Sequence, residues 1–211
     1  MLLQEEREQV VDFSLRMLRD ELTVGTSGNI SVRRDELVAI TPSGVDYRAL
    51  TPGSVCVIDL DGEVVDGAMR PSTEVPMHTT VYREYGAGAV VHTHPLYACT
   101  LSAVCDELPA VHYMVALLGG PVRVVPYATY GTPELAANSV AGLAGGHTAV
   151  ILQNHGATTT GDSLGEAYLR SEYLEWMCRM YYQAKLYGTP NILPDDEIAR
   201  VVDKLRGYGQ R

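Results

Sequence analysis

Two histidines lie one residue apart in the segment Val90-Val91-His92-Thr93-His94-Pro95. Apolar residues precede them, as in a buried strand, and side chains at positions i and i+2 of a strand point to the same face. We therefore expect His92 and His94 side by side at the end of a strand, where two neutral imidazoles suit a divalent metal ion. A pair of hydrogen-bonded core histidines is an equally good interpretation of these two residues alone.

A third histidine, His155, also follows an apolar run, in Gln153-Asn154-His155-Gly156. Three histidines with an open fourth position are typical of catalytic zinc sites. On the residues alone, pairing His155 with a site so far upstream is one alternative among others. His78, His112 and His147 stand in less telling contexts, and for His78 and His147 we expect ordinary polar or capping roles.

Three turns combine glycine or proline with small hydroxyl residues: Gly25-Thr26-Ser27-Gly28-Asn29, Thr41-Pro42-Ser43-Gly44 and Pro71-Ser72-Thr73-Glu74. The last one directly precedes a predicted helix, where free backbone N–H groups and the helix dipole favour an anion. Each alone is usually only a turn or an N-cap. Together they predict a phosphate site built from neutral donors.

The chain has 211 residues, with 26 Asp and Glu against 16 Lys and Arg and a formal net charge of -10. This excess of acidic residues excludes a broad surface that binds nucleic acid or an anionic membrane. Only two of the basic residues are lysines, Lys185 and Lys204, so Schiff-base chemistry has two candidates. The sequence shows no signal peptide, no C-x-x-C pair and no apolar run of ~20 residues, and we expect a cytoplasmic protein with reduced thiols.

Short strands and helices alternate along the chain. An amphipathic helix is predicted at about 4–22, with Val11, Leu15, Leu18 and Leu22 on its apolar face. Asp61-Gly62 predicts a hairpin. Further strands are predicted at 89–93, 122–125 and 149–152, and helices at 76–85, 95–104, 132–145, 163–187 and 195–206. With no repeat or linker, residues 1–211 are expected to form one α/β domain, and the alternation by itself favours a parallel sheet.

The motifs, taken in order, resemble the class II aldolase/epimerase family, most closely the aldolase branch that acts on L-fuculose 1-phosphate. The resemblance covers most of the chain, and its further motifs are Pro109-Ala110-Val111-His112-Tyr113 and Tyr130-Gly131-Thr132-Pro133-Glu134-Leu135. It implies a three-layer α/β/α fold with a central, mainly antiparallel sheet, against the parallel sheet that the alternation favours. It also implies a homotetramer with active sites between subunits and one divalent metal ion per subunit, zinc first, with manganese or cobalt as alternatives.

The resemblance also assigns roles to residues. The implied metal ligands are His92, His94 and His155, and Glu74 is the acid/base carboxylate that can also ligate the metal. The implied phosphate-binding residues are Asn29, Ser43, Gly44, Ser72 and Thr73, of which Thr73 is serine in some relatives. Tyr113 is expected to reach the neighbouring subunit's site and to serve the aldehyde end of the substrate. Tyr208, in a diverging tail, is the candidate for a second tyrosine.

The implied activity is reversible cleavage of a ketose 1-phosphate, such as L-fuculose 1-phosphate or a similar deoxy-ketose phosphate. The products are dihydroxyacetone phosphate and a small aldehyde, such as L-lactaldehyde or acetaldehyde. Within the family, an L-ribulose-5-phosphate 4-epimerase is the nearest alternative, but it typically has Asp where this chain has Glu74. A dehydratase of methylthioribulose phosphate is a further alternative. A non-catalytic domain like the adducin head is the alternative of another class, and such domains lose the metal triad.

Overall fold

The computed structural model describes residues 1–205 and 207. Its strands are β1 (Asn29–Arg34), β2 (Leu37–Ile40), β3 (Cys56–Asp59), β4 (Val64–Asp66), β5 (Ala89–Thr93), β6 (Glu107–Leu108), β7 (Val122–Val125), β8 (Ala149–Leu152) and β9 (Gly156–Gly161). Its α-helices are α1 (Gln4–Arg19), α2 (Val75–Tyr85), α3 (Leu96–Ser102), α4 (Pro133–Leu143), α5 (Leu164–Tyr187) and α6 (Asp195–Leu205). Over these residues, no helix has both the length and the apolar character needed to cross a bilayer.

The strands form one sheet in the order β4-β3-β2-β1-β5-β9-β8-β7-β6. Among the described strands, β7 and β8 are the one parallel pair, and all other neighbours are antiparallel. The mainly antiparallel sheet that the resemblance implies is therefore confirmed, and the parallel sheet that the alternation favours is wrong. Antiparallel neighbours need no helical crossover, so hairpins such as the one at Asp61-Gly62 build most of one half.

Helices cover both faces of the sheet, and the alternation of side chains along β5 shows it. Val90 packs with α2 and α4 in a cluster that includes Met77 and Leu135. Val91 points to the other face and packs with α1 and α5, in a cluster that includes Met17. The sheet is thus the middle of three layers, as the resemblance implies.

The buried face of the first helix matches the predicted one only in part, with Val11 and Leu18 partly buried against the core. Val10, Ser14 and Met17 are fully buried, together with Arg7, whereas the predicted core residue Leu15 is 42% exposed. The Arg7 guanidinium donates to the carbonyl oxygens of Leu2, Pro52 and Val55 and pairs with Asp66 at 2.7 Å. These partners compensate the burial of its charge, and hydrophobic periodicity does not predict a buried arginine.

Strand β9 was not predicted from the sequence. Its Thr158-Thr159-Thr160 run is polar, although β-branched residues favour strands. All six residues of β9 are buried because the strand lies between β5 and β8. Two of the threonine hydroxyls have partners inside the protein: Thr159 Oγ1 donates to Ala167 O at 2.8 Å, and Thr158 Oγ1 donates to Sδ of Met77 at 3.4 Å. This polar central strand positions the segment that carries His155.

Candidate active site

The three histidines of the two sequence motifs meet at one end of the central strands β5 and β9. His92 lies in β5, His94 follows it, and His155 directly precedes β9. Thr93 pairs with Ala157 in the antiparallel register, so β5 ends where β9 begins. The ring centroids lie 4.8 Å apart for His92 and His94, and 4.9 Å apart for each pair that includes His155. One ring nitrogen from each residue lies within 4.8 Å of the other two.

Gly156 allows this close approach. A Cβ atom at position 156 would lie 2.3 Å from the carbonyl oxygen of Thr93 and 3.0 Å from Cδ2 of His94. The left-handed residue of the turn before β9 is Asn154, with φ of 53°, and Gly156 has no positive φ. Gly156 is thus required for space between β9 and β5 rather than for its backbone angle.

Glu74 lies directly before α2 and closes the site from the other side. Its Oε2 atom is 3.1 Å from Nε2 of His92, and its Oε1 atom is 3.5 Å from Nε2 of His155. Asn29 Nδ2 donates to Oε2 at 2.7 Å. Burial by itself would raise the pKa of Glu74, but the positive charge of His92 and the hydrogen bonds from His92 and Asn29 hold that pKa below its usual range. The carboxyl group is therefore ionised at neutral pH.

The ring nitrogens are arranged as metal ligands require. Nδ1 of His92 lies 3.0 Å from the carbonyl oxygen of Ala157, which only accepts, so Nδ1 carries a hydrogen and Nε2 is the ring atom that faces the other two histidines. That Nε2 is 2.9 Å from Nε2 of His94. Burial, followed by the charge of His92, lowers the pKa of His94 to about 3 and that of His155 to about 4. His94 and His155 are therefore neutral at neutral pH.

This donor set fits a divalent cation. Three imidazoles and one carboxylate converge, and buried Oε1 of Glu74 has no hydrogen-bond partner. A buried carboxylate oxygen without a donor is costly, and a cation among the histidines would satisfy it. The combination of three histidines with a carboxylate is typical of zinc and related transition metals.

A cavity of about 320 Å³ opens beside the histidines. The three glycine–hydroxyl turns line it, and all five residues expected to bind phosphate take part: Asn29, Ser43, Gly44, Ser72 and Thr73. Backbone hydrogen bonds join two of the turns, from Ser43 N to Arg70 O at 2.9 Å and from Ser72 N to Thr41 O at 3.0 Å. The cavity therefore combines small polar donors on one side with the histidines and Glu74 on the other.

Two tyrosines of the cavity were not singled out from the sequence. Tyr127 and Tyr130 line it and are 56% and 65% exposed. The motif Tyr130–Leu135 was recognised, but an exposed aromatic residue in a loop gives no periodic signal. The two lysines are exposed and do not line this cavity, which leaves the site without a Schiff-base candidate.

Tyr113 lies away from the histidines of its own chain. It begins a 3-10 helix, Tyr113–Leu118, and lines a separate groove with Trp176 and Lys204. Its expected contribution to a neighbouring subunit's site therefore requires an assembly in which Tyr113 of one subunit lies beside the histidines of another. Tyr208, the other expected tyrosine, lies outside the described residues.

Known proteins are similar to this chain in both sequence and fold. A 5-deoxy-D-ribulose 1-phosphate aldolase from Bacillus thuringiensis serovar kurstaki is 42% identical over 214 residues, which cover 100% of both chains. The L-fuculose phosphate aldolase of Escherichia coli K12 is 35% identical and covers 96% of this chain and 95% of its own. A solved structure of an L-fuculose 1-phosphate aldolase superposes with a TM-score of 0.93 at 37% identity, covering 96% of both chains.

The family comparison agrees with these relatives. Residues 8–182 match the family described as "Class II Aldolase and Adducin N-terminal domain", a range that includes the three histidines, Glu74 and all three hydroxyl turns. With most of its length matched and with homologues above 30% identity over nearly the whole chain, this chain belongs to the class II aldolase and adducin N-terminal domain family.

Proposed function

We propose that this protein is a metal-dependent aldolase that reversibly cleaves a ketose 1-phosphate to dihydroxyacetone phosphate and a small aldehyde. The observation that carries the proposal is the junction of three histidines and an ionised Glu74 with a cavity lined by small polar donors. An adducin-like binding role would not require this set of ligands. We propose 5-deoxyribulose 1-phosphate, which releases acetaldehyde, as the first substrate to test, and L-fuculose 1-phosphate, which releases L-lactaldehyde, as the second.

The hydroxyl turns would bind the phosphate. Ser43, Gly44 and Thr73 are exposed to the cavity, while Asn29 and Ser72 are buried at its wall. Backbone N–H groups and hydroxyls bind a phosphate ester without a lysine. A local site of this kind is compatible with a net charge of -10. Salt screens the distant surface charges, whereas the hydrogen bonds to the phosphate act over a short distance.

His92, His94 and His155 would hold the divalent ion, for which we propose zinc, with manganese or cobalt as alternatives. A divalent cation in this position would act as a Lewis acid that stabilises the enediolate left when the C3–C4 bond breaks. Neutral imidazoles are the form that binds metal, and the lowered pKa values of His94 and His155 keep them in that form.

Glu74 would move the proton on the dihydroxyacetone phosphate carbon. In cleavage the C4 hydroxyl loses its proton as the C3–C4 bond breaks, and the Glu74 carboxylate, once it has taken up a proton, delivers it to C3 of the enediolate. In synthesis the carboxylate abstracts that same C3 proton. The glutamate also argues against the epimerase alternative, which typically has Asp at this position. Its position between the histidines and the cavity supports this role, since Oε1 and Oε2 face His155 and His92.

Tyr113 would serve the aldehyde end of the substrate in a neighbouring subunit, within a cytoplasmic homotetramer. Tyr113 is 49% exposed and stands beside exposed Leu169 and Trp176 in a groove of about 1140 Å³. An exposed apolar groove of this size is typical of a surface that another chain covers. The four cysteines are free thiols, which agrees with a reducing compartment.

A metal-reconstitution assay tests the proposed function. The protein is stripped with a chelator, reloaded with zinc, manganese or cobalt, and supplied with each ketose phosphate, while dihydroxyacetone phosphate release is followed. Cleavage of at least one substrate that depends on the added metal is the expected result. Absence of product from both substrates with all three metals would contradict the proposal.

A further inference from the structure

A continuous chain of buried hydrogen bonds runs behind Glu74, away from the cavity. Tyr82 Oη lies 2.6 Å from Ser31 Oγ, which lies 2.6 Å from Nδ1 of His78. Nε2 of His78 lies 2.5 Å from Oδ1 of Asn29, whose Nδ2 donates to Glu74 at 2.7 Å. His78 is completely buried and does not line the cavity.

The direction of each bond follows from chemistry. An ionised carboxylate only accepts, so Asn29 must turn Nδ2 toward Glu74 and Oδ1 toward His78. Oδ1 also only accepts, so His78 carries its hydrogen on Nε2 and accepts at Nδ1 from Ser31. The Ser31 oxygen then accepts from the Tyr82 hydroxyl. Burial, followed by the charge of His92, lowers the pKa of His78 to about 3, which agrees with a neutral ring.

Regular secondary structure aligns the five side chains. Glu74, His78 and Tyr82 are spaced four residues apart at and along α2, so they lie on one face of the helix. Asn29 and Ser31 are two residues apart on β1 and point to the same face of the sheet. The chain of hydrogen bonds therefore runs between α2 and β1, and it ends at Glu74, the candidate acid/base residue.

We propose that His78 is a positioning residue for Glu74, acting through Asn29. Its Nε2–H fixes the orientation of the Asn29 amide, which holds Oε2 of Glu74 and leaves Oε1 directed at the histidine triad. Without this donor, the Asn29 amide is free to rotate and to turn its oxygen toward Glu74. The Glu74 carboxylate then repels that oxygen instead of accepting a hydrogen bond. The inference rests on the proposed function of Glu74 as the group that moves the substrate proton.

The test compares metal-loaded H78F and H78Q enzymes with wild type. H78F removes both polar ring atoms, and H78Q retains a donor near Nε2. Loss of an outer hydrogen-bond partner typically reduces activity by about 10- to 100-fold, and we expect this loss in kcat for H78F, with KM changed by less than about 3-fold. Deuterium exchange from D2O into dihydroxyacetone phosphate should fall in parallel, because it isolates the proton transfer. H78Q should recover most of both rates.

A second measurement does not depend on activity. Long-range nitrogen–proton NMR of the wild-type protein should show His78 as the neutral Nε2–H tautomer at neutral pH. If H78F does not fold, S31A replaces it, because it removes the partner of Nδ1 and should lower kcat with little effect on KM.

The outcomes separate the inference from the function on which it rests. A wild-type enzyme without cleavage or exchange activity contradicts the proposed function. An active wild type whose folded H78F variant, or whose S31A variant where H78F is unfolded, keeps an unchanged kcat overturns the inference. An Nδ1–H tautomer of His78 overturns it as well.

Discussion

The carboxylate of Glu175 on α5 accepts a hydrogen bond from the backbone N–H of Tyr97, at 2.8 Å. Its other oxygen accepts from the N–H of Ala98 at the same distance. These are N–H groups of the first turn of α3, which have no partner within the helix. Because α3 begins two residues after His94, a residue far along the chain caps the helix that continues from the metal-ligand segment.

Removal of this cap should destabilise the fold. We expect E175A to lose about 1–2 kcal/mol of unfolding free energy, the usual loss for a helix cap, and E175Q to lose less because its oxygen still accepts one bond. Urea denaturation measures both. The exposed Glu84 provides the control E84Q, and equal unfolding curves for E175A and wild type would show that the cap contributes nothing.

Glu74 is expected to be indispensable for turnover. E74Q should lower kcat by about 10²- to 10⁴-fold, the usual contribution of a positioned acid/base group. The steady-state assay is accompanied by metal analysis and a measurement of oligomeric state, so that loss of the ion or of assembly is detected. A folded, metal-loaded E74Q enzyme with unreduced turnover would show that the assigned role is wrong.

A bound metal ion should stabilise the folded chain. At a free metal concentration of about 100 times Kd, the gain is about 2.7 kcal/mol, seen as a higher Tm that a chelator reverses. H155Q should lose most of this shift, because it removes one of three ligands. His147 lies outside the group of three, and H147Q should keep the shift; an equal loss in both variants would argue against the assigned ligands.

The buried His78 should make stability depend on pH. Its folded pKa of about 3 lies below the ordinary 6.5, mainly because of burial. Below pH 6.5 the unfolded chain therefore takes up a proton that the folded chain does not, and stability falls as pH falls toward 3, by about 1.4 kcal/mol per pH unit. Urea titrations of metal-free protein between about pH 4.5 and 7.5 should show a shallower slope for H78Q, whereas parallel curves would contradict the prediction.

Tyr113 should act across a subunit boundary. Y113F and E74Q, each poorly active alone, should regain activity when they are co-assembled, because some sites then combine an intact Glu74 with a neighbour's intact Tyr113. Random mixing would restore about one quarter of the sites. The exposed Tyr187 provides the control Y187F, which should be fully active alone; co-assembled Y113F and E74Q that stay as inactive as the separate variants would place Tyr113 outside the reaction.

The apolar parts of the fold are well predicted from the sequence. The strands predicted at 89–93, 122–125 and 149–152 are found at those residues, because short apolar runs between glycines or prolines have few alternatives. Strand β9 was missed because its threonines are polar. The buried face of α1 was predicted only in part: Val11 and Leu18 pack against the core, but Arg7 and Ser14 also belong to this face and Leu15 does not.

The site was predicted unevenly. His92 and His94 follow from strand periodicity, but only the family resemblance joined His155 to them, since its place depends on the pairing of β9 with β5. His78 was assigned an ordinary polar role, although the spacing of Glu74, His78 and Tyr82 puts three polar side chains on one helix face. The hydrogen-bond chain can be predicted only when β1 is known to be the strand that packs beside these three residues.

The position of β9 in the sheet affects the order of folding. Among the described strands, β9 alone joins the half built by β1 to β5 to the half that contains β6, β7 and β8. It pairs Thr158 with His92, a contact of high sequence separation that costs loop entropy before it stabilises the chain. During synthesis, the emerging N-terminal half can therefore form its hairpins early, but the metal site cannot assemble until β9 has left the ribosome and closed the sheet.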